Sequence, residues 1–106
     1  MTTFEERRDQ FEKKYLHEEE LLFKAKARRN KLFGLAIAEK IGKNGEEADN
    51  YAKSVVIAAL TPAGDDGILQ KVAIDLETAG MPMAEQELRH LLSSLLIRAT
   101  EEIRNR

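Results

Sequence analysis

The chain contains no helix-breaking residue other than Gly34 between Phe4 and Ile41. Its remaining glycines and its prolines are grouped in three short segments, at residues 42–45, 61–67 and 80–82. The four pieces that these segments separate are rich in Ala, Leu, Glu, Lys and Arg, which are strong helix formers. The sequence therefore predicts four helices and no strands.

The last three helices have predictable ends. Asn44 and Glu47 have the spacing of a capping box, which predicts a helix over residues 46–60. Asp65 and Asp66 can cap a third helix over residues 66–79, which Gly80 should end in the left-handed conformation. Pro82 is expected near the first turn of a fourth helix over residues 83–103.

Each of these three helices has one apolar face, because its apolar residues recur at intervals of three and four. The predicted core positions are Ala48, Tyr51, Ala52, Val55, Val56, Ala59, Leu60, Ile68, Leu69, Val72, Ala73, Leu76, Leu88, Leu91, Leu92, Leu95, Leu96, Ala99 and Ile103.

The first helical piece changes in character along its length. Seven of the ten residues from 32 to 41 are apolar, compared with three of the sixteen residues from 5 to 20. A helix over the whole piece would be about 57 Å long, whereas the other helices reach roughly 22 to 31 Å. We therefore expect a mobile, charged N-terminal arm over residues 1–20 and a helix over residues 21–41. With short connections that favour antiparallel neighbours, residues 21–106 should form an all-α four-helix bundle.

Catalytic and metal-binding patterns are nearly absent from the sequence. The chain has no cysteine and two histidines, and it lacks a glycine-rich phosphate loop and a recognised nucleophile motif. Glu87 and His90 have the spacing found in di-iron bundles, but no second copy exists because Lys14 stands three residues before His17. We expect no enzymatic activity, no metal and no cofactor.

The chain carries a formal net charge of only −2, which attracts neither nucleic acid nor an anionic membrane as a whole. The longest apolar runs, residues 35–38 and 55–60, are too short to span a bilayer, and residues 1–10 do not resemble an export signal. We expect a cytoplasmic protein that does not insert into a membrane.

Five positive charges stand close together at Lys24, Lys26, Arg28, Arg29 and Lys31. Such a run can follow phosphates, and nucleic-acid binding is one hypothesis. However, the run follows Glu18, Glu19 and Glu20 directly, and opposite charges on one helix commonly form local ion pairs. We favour the second interpretation.

In the arm, Phe4, Phe11, Tyr15 and Leu22 are separated by seven, four and seven residues. This spacing places large apolar groups on one side of a helix, which suits insertion into a partner's groove. The alternative is a solvated first helix that folds back weakly on the bundle.

Several segments together resemble the zeta subunit, the small inhibitor of the F-type ATP synthase in alphaproteobacteria. They are MTTFEER at residues 1–7, then Glu12, Lys13, Tyr15 and His17, ARRNKLFG at residues 27–34, GEEADNYAKSVV at residues 45–56, and a helix after Asp65 and Asp66.

The resemblance implies a mobile N-terminal segment that becomes helical when it enters the catalytic head of the ATP synthase. There it would block rotation in the hydrolysing direction, in contact with the alpha, beta and gamma subunits, while the bundle acts as an outer anchor. The protein would then be peripheral to the inner membrane. The arm residues implied in contact are Phe4, Glu5, Arg7, Arg8, Phe11, Lys14 and Tyr15, and those implied in anchoring are Arg28, Arg29 and Lys31.

The residues alone leave two other functions open. One is a free-standing cytoplasmic module whose arm binds a different protein, and the other is a nucleic-acid binder that uses the basic run. Both lack a role in ATP synthase.

Overall fold

The computed structural model describes the backbone of residues 4–105 and the side chains from Glu18 to Asn105. This part of the chain forms four helices, α1 (Phe4–Lys40), α2 (Gly45–Ala59), α3 (Asp65–Thr78) and α4 (Glu85–Arg104), and no strand. The all-α four-helix prediction is confirmed. α2, α3 and α4 begin and end within two residues of the predicted bounds, whereas α1 begins at Phe4 and not at residue 21.

The N-terminal caps differ from those predicted. Asn44 occupies the N-cap position of α2, but its side chain makes no capping hydrogen bond, so the predicted capping box is wrong. Glu46 and Glu47 lie in the first turn of α2, where their charges favour the positive end of the helix. The N-cap of α3 is Gly64, and Asp65 and Asp66 lie in the first turn. Their carboxylates pair with arginines of other helices and therefore do not cap α3.

α4 begins later than predicted. Its N-cap is Ala84, which has no side-chain acceptor to offer. Pro82 precedes this residue by two positions and therefore lies in the connection, close to the first turn as predicted.

Glycine ends two of the helices as the sequence predicts. Gly42 and Gly80 have φ angles of 81° and 76°, which only glycine adopts at little cost. After α3, the amide of Gly80 donates to the carbonyl of Glu77 and the amide of Met81 donates to that of Leu76, at 3.0 and 2.8 Å. These are the two hydrogen bonds of a Schellman motif, which satisfies carbonyls at the helix end and turns the chain away.

The core contains residues from all four helices and follows the predicted faces. Leu60 is the exception, because α2 ends at Ala59 and leaves the Leu60 side chain 80% exposed. The buried apolar side chains are Ala25, Phe33, Ile37, Ala38, Tyr51, Ala52, Val55, Ile68, Leu69, Val72, Leu76, Leu88, Leu92, Leu95 and Ala99.

α1 packs against both α2 and α4, α2 packs against α3, and α3 makes a sparser contact with α4. This last pair also runs antiparallel, because α3 ends beside Ile41 whereas α4 ends beside Leu21, but the two helices are offset along their lengths. Asp66 and Leu69, near the start of α3, line one groove with Leu88 and Arg89, near the start of α4. The six-residue connection that precedes α4 can extend about 20 Å, close to the length of α3, so the chain can return along α3 before α4 begins.

A polar contact joins α2 to α3 at the edge of the core. The hydroxyl of Tyr51 donates to Asp75 at 2.8 Å, and Lys71 donates to the same carboxylate at 3.0 Å. Burial, followed by the hydrogen bond and charge of Asp75, raises the pKa of Tyr51 well above its ordinary value. The hydroxyl therefore stays protonated and remains a donor throughout the neutral pH range.

Gly34 lies at a close contact between α1 and α2. A Cβ at Gly34 would stand 2.7 Å from the Cα of Ala52 and 3.3 Å from the Cβ of Val55. Backbone cannot yield as a flexible side chain can, so only glycine fits this position without a shift of α2.

We predict that Gly34→Ala destabilises the bundle by up to about 2 kcal/mol. Alanine gains about 1 kcal/mol of helix propensity, but overpacking costs about 1–3 kcal/mol. Ala27→Gly, at an exposed position of the same helix, should also destabilise, through propensity alone. Urea unfolding monitored by circular dichroism measures both changes, and a more stable Gly34→Ala variant would contradict the packing described.

Candidate partner-binding surface

The first side chains of α1 that the structure describes, from residue 18 to residue 24, are mostly exposed. Ile103 and Arg104, in the last turn of α4, share a groove with Glu18, Leu21 and Lys24 of α1. Leu21 is half-buried there, whereas Glu18, Glu19 and Glu20 are exposed. Continuous burial of α1 therefore begins beyond Leu21, with Ala25 as its first fully buried residue among those whose side chains are described.

The predicted arm residues belong to the first turns of α1, N-terminal to this covered region. Their side chains lie outside the described residues, so their contacts stay a prediction. They are Phe4, Glu5, Arg7, Arg8, Phe11, Lys14 and Tyr15.

The predicted anchor residue Arg29 lies inside the bundle. Its side chain is only 5% exposed, and its guanidinium donates to both oxygens of Asp65, at 2.7 and 3.4 Å. The Oδ1 atom of Asn30 accepts two further hydrogen bonds from the same guanidinium, at 2.9 and 3.1 Å. Arg29 therefore fixes α1 to the first turn of α3 and is not available as a surface contact for a partner.

Arg28 makes the corresponding connection to α4. Its Nε atom donates to Glu102, which also accepts a hydrogen bond from Arg98 at 2.8 Å. The hydrogen bonds from Arg98 and Arg28 hold the pKa of Glu102 below its ordinary value, so this carboxylate stays charged into mildly acidic solution. We call Arg28, Arg29, Asn30, Asp65 and Glu102 the polar junction.

The polar junction accounts for two of the five positive charges of the basic run, those of Arg28 and Arg29. Lys24 also pairs, with Glu20 at 3.4 Å on the same helix. Three of the five positive charges thus have carboxylate partners within the described part of the chain. The interpretation as local ion pairs on one helix is confirmed for Lys24 alone, because Arg28 and Arg29 pair with carboxylates of α4 and α3. Lys31 is the predicted anchor residue that remains exposed.

Lys31 borders a groove on the outer side of α1 and α2. The α2 residues that line the groove with it are Asp49, Ala52, Lys53, Val56 and Ile57. Ile57 is 65% exposed, and Leu60 follows it by three residues on the same side of α2. The apolar spacing predicted that Leu60 would lie in the core. It did not include Ile57 among the core residues, because Ile57 falls outside the apolar face of α2.

Phe23 is a further large apolar side chain on the surface, with 76% of its area exposed. It stands eleven residues before Gly34, which is about three helical turns, so both residues lie on the α2 side of α1. In the antiparallel α1 and α2 pair, Phe23 is therefore close to the level at which α2 ends.

Among residues whose side chains are described, no group of three or more His, Cys, Asp or Glu side chains is placed to hold a metal ion. His90, the candidate ligand, is exposed on α4. Over the same residues, the search for membrane-spanning helices finds none of sufficient length and apolarity.

Asp65→Asn should destabilise the protein by about 1–3 kcal/mol, because it leaves the buried charge of Arg29 without its carboxylate. Asp66→Asn is the matched control, since Asp66 lies in the same turn but pairs with Arg89 in a largely exposed position. That change should cost less than about 0.5 kcal/mol. Equal losses in chemical denaturation would show that the Arg29 contact has no special role.

Comparison with known protein families gives one match. The family model for ATPase inhibitor subunit zeta matches residues 1–102. A search of curated proteins returned no significant match. The family match spans the N-terminal segment, the polar junction and nearly all of α4, and it confirms the resemblance found in the sequence. The chain belongs to the ATPase inhibitor subunit zeta family.

Proposed function

We propose that this chain is a regulatory subunit that inhibits ATP hydrolysis by the F-type ATP synthase, and that its N-terminal segment inserts as a helix into the catalytic head. The observation that carries the proposal is the extent of α1, one continuous helix from Phe4 to Lys40 whose first described side chains, Glu18, Glu19 and Glu20, are exposed. The family is one of inhibitors, which supports a regulatory role and not a catalytic one.

The dimensions of the chain support a single-helix plug with a built-in stop. A lone helix with its side chains is about 10–12 Å wide. The two shorter dimensions of the protein are 27 and 21 Å, set by the four packed helices. A channel that admits one helix would exclude the bundle, so insertion would end where α4 first covers α1.

The polar junction supports an anchoring role for the bundle. It fixes α1 to α3 and α4 within eight residues of Leu21, where coverage begins. A load on the inserted segment would pass along α1 into these ion pairs and the core behind them. The bundle would then resist being drawn into the channel or rotated about α1.

The inserted segment would contact the alpha, beta and gamma subunits, on the cytoplasmic face of the inner membrane. Phe4, Phe11 and Tyr15 would supply the apolar contacts, and Glu5, Arg7, Arg8 and Lys14 the polar ones. The nucleic-acid hypothesis loses its main support, because Arg28 and Arg29 are used within the bundle.

The test is inhibition of ATP hydrolysis by ATP synthase stripped of its own inhibitor. The wild-type chain should inhibit, and Phe4→Ala with Phe11→Ala should raise the half-inhibitory concentration at least tenfold, since aromatic anchors dominate such interfaces. Ordering a segment on binding also costs about 2–5 kcal/mol, which leaves little affinity in reserve.

Thr3→Ala with Gln10→Ala is the control, because it changes two polar side chains of the same segment. All variants should keep the helical circular dichroism of the wild type. If the aromatic variant inhibits as strongly as the control, the segment is not the plug. A wild-type chain that does not inhibit would instead overturn the assigned role.

A further inference from the structure

Asn44 and Gly45 form an Asn-Gly pair where the connection after α1 meets the start of α2. The side-chain carboxamide of an asparagine can be attacked by the backbone nitrogen of the next residue. A glycine at the next position favours this attack, because it has no side chain to hinder the approach. The other asparagines do not precede a glycine; they are Asn30, Asn50 and Asn105. The sequence therefore singles out Asn44 as the position where this chemistry meets least hindrance.

The Asn44 side chain is free to rotate towards the Gly45 nitrogen. Asn44 is exposed at the N-cap position of α2, and its side chain makes no capping hydrogen bond. In a capped helix, the asparagine oxygen accepts a hydrogen bond from an amide of the first turn, which holds the carboxamide in place. Because that hydrogen bond is missing here, the helix does not restrain the carboxamide.

The nitrogen of Gly45 is accessible as well. Amides in the first turn of a helix have no carbonyl partner within the helix. Among the backbone hydrogen bonds of the connections that the structure describes, none involves the Gly45 amide. Gly45 has a φ of 56°, far from the helical value of about −63°, so its backbone is not held in the helical conformation. A Cβ at this residue would meet no atom within 4 Å, so the space around the nitrogen is open.

Two other asparagines lack this combination of features. Asn30 is buried in α1, where its Oδ1 atom accepts two hydrogen bonds from Arg29. Asn50 is exposed, but it stands inside α2, where the amide of the next residue is used in the helical hydrogen-bond ladder. Asn50 is therefore an internal control that shares the exposure of Asn44 and differs in its neighbouring amide.

We propose that Asn44 is a site of spontaneous deamidation in the folded protein. The nitrogen of Gly45 bonds to Cγ of Asn44, and the amide proton leaves with the side-chain amino group as ammonia, which closes a succinimide ring. Water then adds to either carbonyl carbon of the ring and breaks its bond to the nitrogen. One opening gives aspartate, and the other gives isoaspartate, in which the main chain passes through the side-chain carbon. The net reaction consumes one water, releases one ammonia and involves no change of oxidation state.

The modification changes the charge and the backbone at the start of α2. Both products carry a carboxylate where the amide was neutral, so the formal net charge of −2 becomes more negative by one unit. In the aspartate form this charge lies at the positive end of α2, which favours it. The site follows the C-terminal end of α1, whereas the N-terminal segment lies at the other end of that helix. The inference is therefore independent of the proposed function.

The experiment measures deamidation of the intact full chain at neutral pH in water enriched in the heavy oxygen isotope. Digestion with trypsin then follows in ordinary water, so the heavy isotope marks the deamidation that preceded digestion. Trypsin cuts after Lys43 and Lys53 and releases Asn44 and Asn50 in one peptide, which fragmentation in the mass spectrometer resolves. Asn44 should take up the label at least about tenfold faster than Asn50, whose neighbouring amide is held in the helix. The labelled peptide should contain both aspartate and isoaspartate.

A parallel incubation in guanidinium chloride compares the folded chain with the unfolded chain. Because the site is already open in the folded protein, the two rates at Asn44 should agree within about threefold, whereas Asn50 should react faster when unfolded. Asn44→Gln is the matched variant, since it keeps a carboxamide whose longer side chain closes a ring less readily. Labelling at residue 44 should then be lost, with labelling at Asn50 and the helical circular dichroism unchanged.

Three results would overturn the inference. Equal labelling of Asn44 and Asn50 in the folded chain would show that the Gly45 nitrogen has no special access. A rate at Asn44 that folding lowers by more than about threefold would show that the start of α2 protects the site. Aspartate without isoaspartate would indicate direct hydrolysis of the side chain and not closure of the ring.

Discussion

A helix of 37 residues is about 56 Å long, whereas α2, α3 and α4 contain 15, 14 and 20 residues and reach roughly 21 to 30 Å. None of the three shorter helices can by itself cover the whole length of α1. Apolar composition decides which part is covered, since the residues after Ala25 supply Phe33, Ile37 and Ala38 to the core. From length and composition together, we propose that the N-terminal segment serves to bind another partner.

The covered part of α1 is held in two physically different ways. On the α2 side, Gly34 removes a side chain so that the two backbones pack directly. Towards α3 and α4, the polar junction pairs Arg29 and Arg28 with carboxylates of those helices. The two ion pairs lie between the N-terminal segment and the main core, which is where a bundle that serves as an anchor has to resist force along α1.

The sequence predicted the number of helices, their approximate bounds and most of the core, because these follow from glycine, proline and apolar spacing. It did not predict the partners of Asp65 and Glu102, since long-range ion pairs depend on packing that local patterns do not encode. A signal for Arg29 was nonetheless present, because Arg29 falls midway between Ala25 and Phe33 in a spacing of four that continues to Ile37. The exposure of Phe23 and Leu60 could not be predicted, because it depends on where the neighbouring helices end.

The central claim is that the bundle holds α1 from about Leu21 onward and that the N-terminal segment is buried only in a complex with the catalytic head. Amide hydrogen exchange of the full chain, alone and bound to stripped catalytic head, measures this directly. The account predicts that amides of residues 4–17 gain protection on binding, whereas those of residues 25–40 are protected in both states. No gain over residues 4–17 in a complex that forms and inhibits would contradict it.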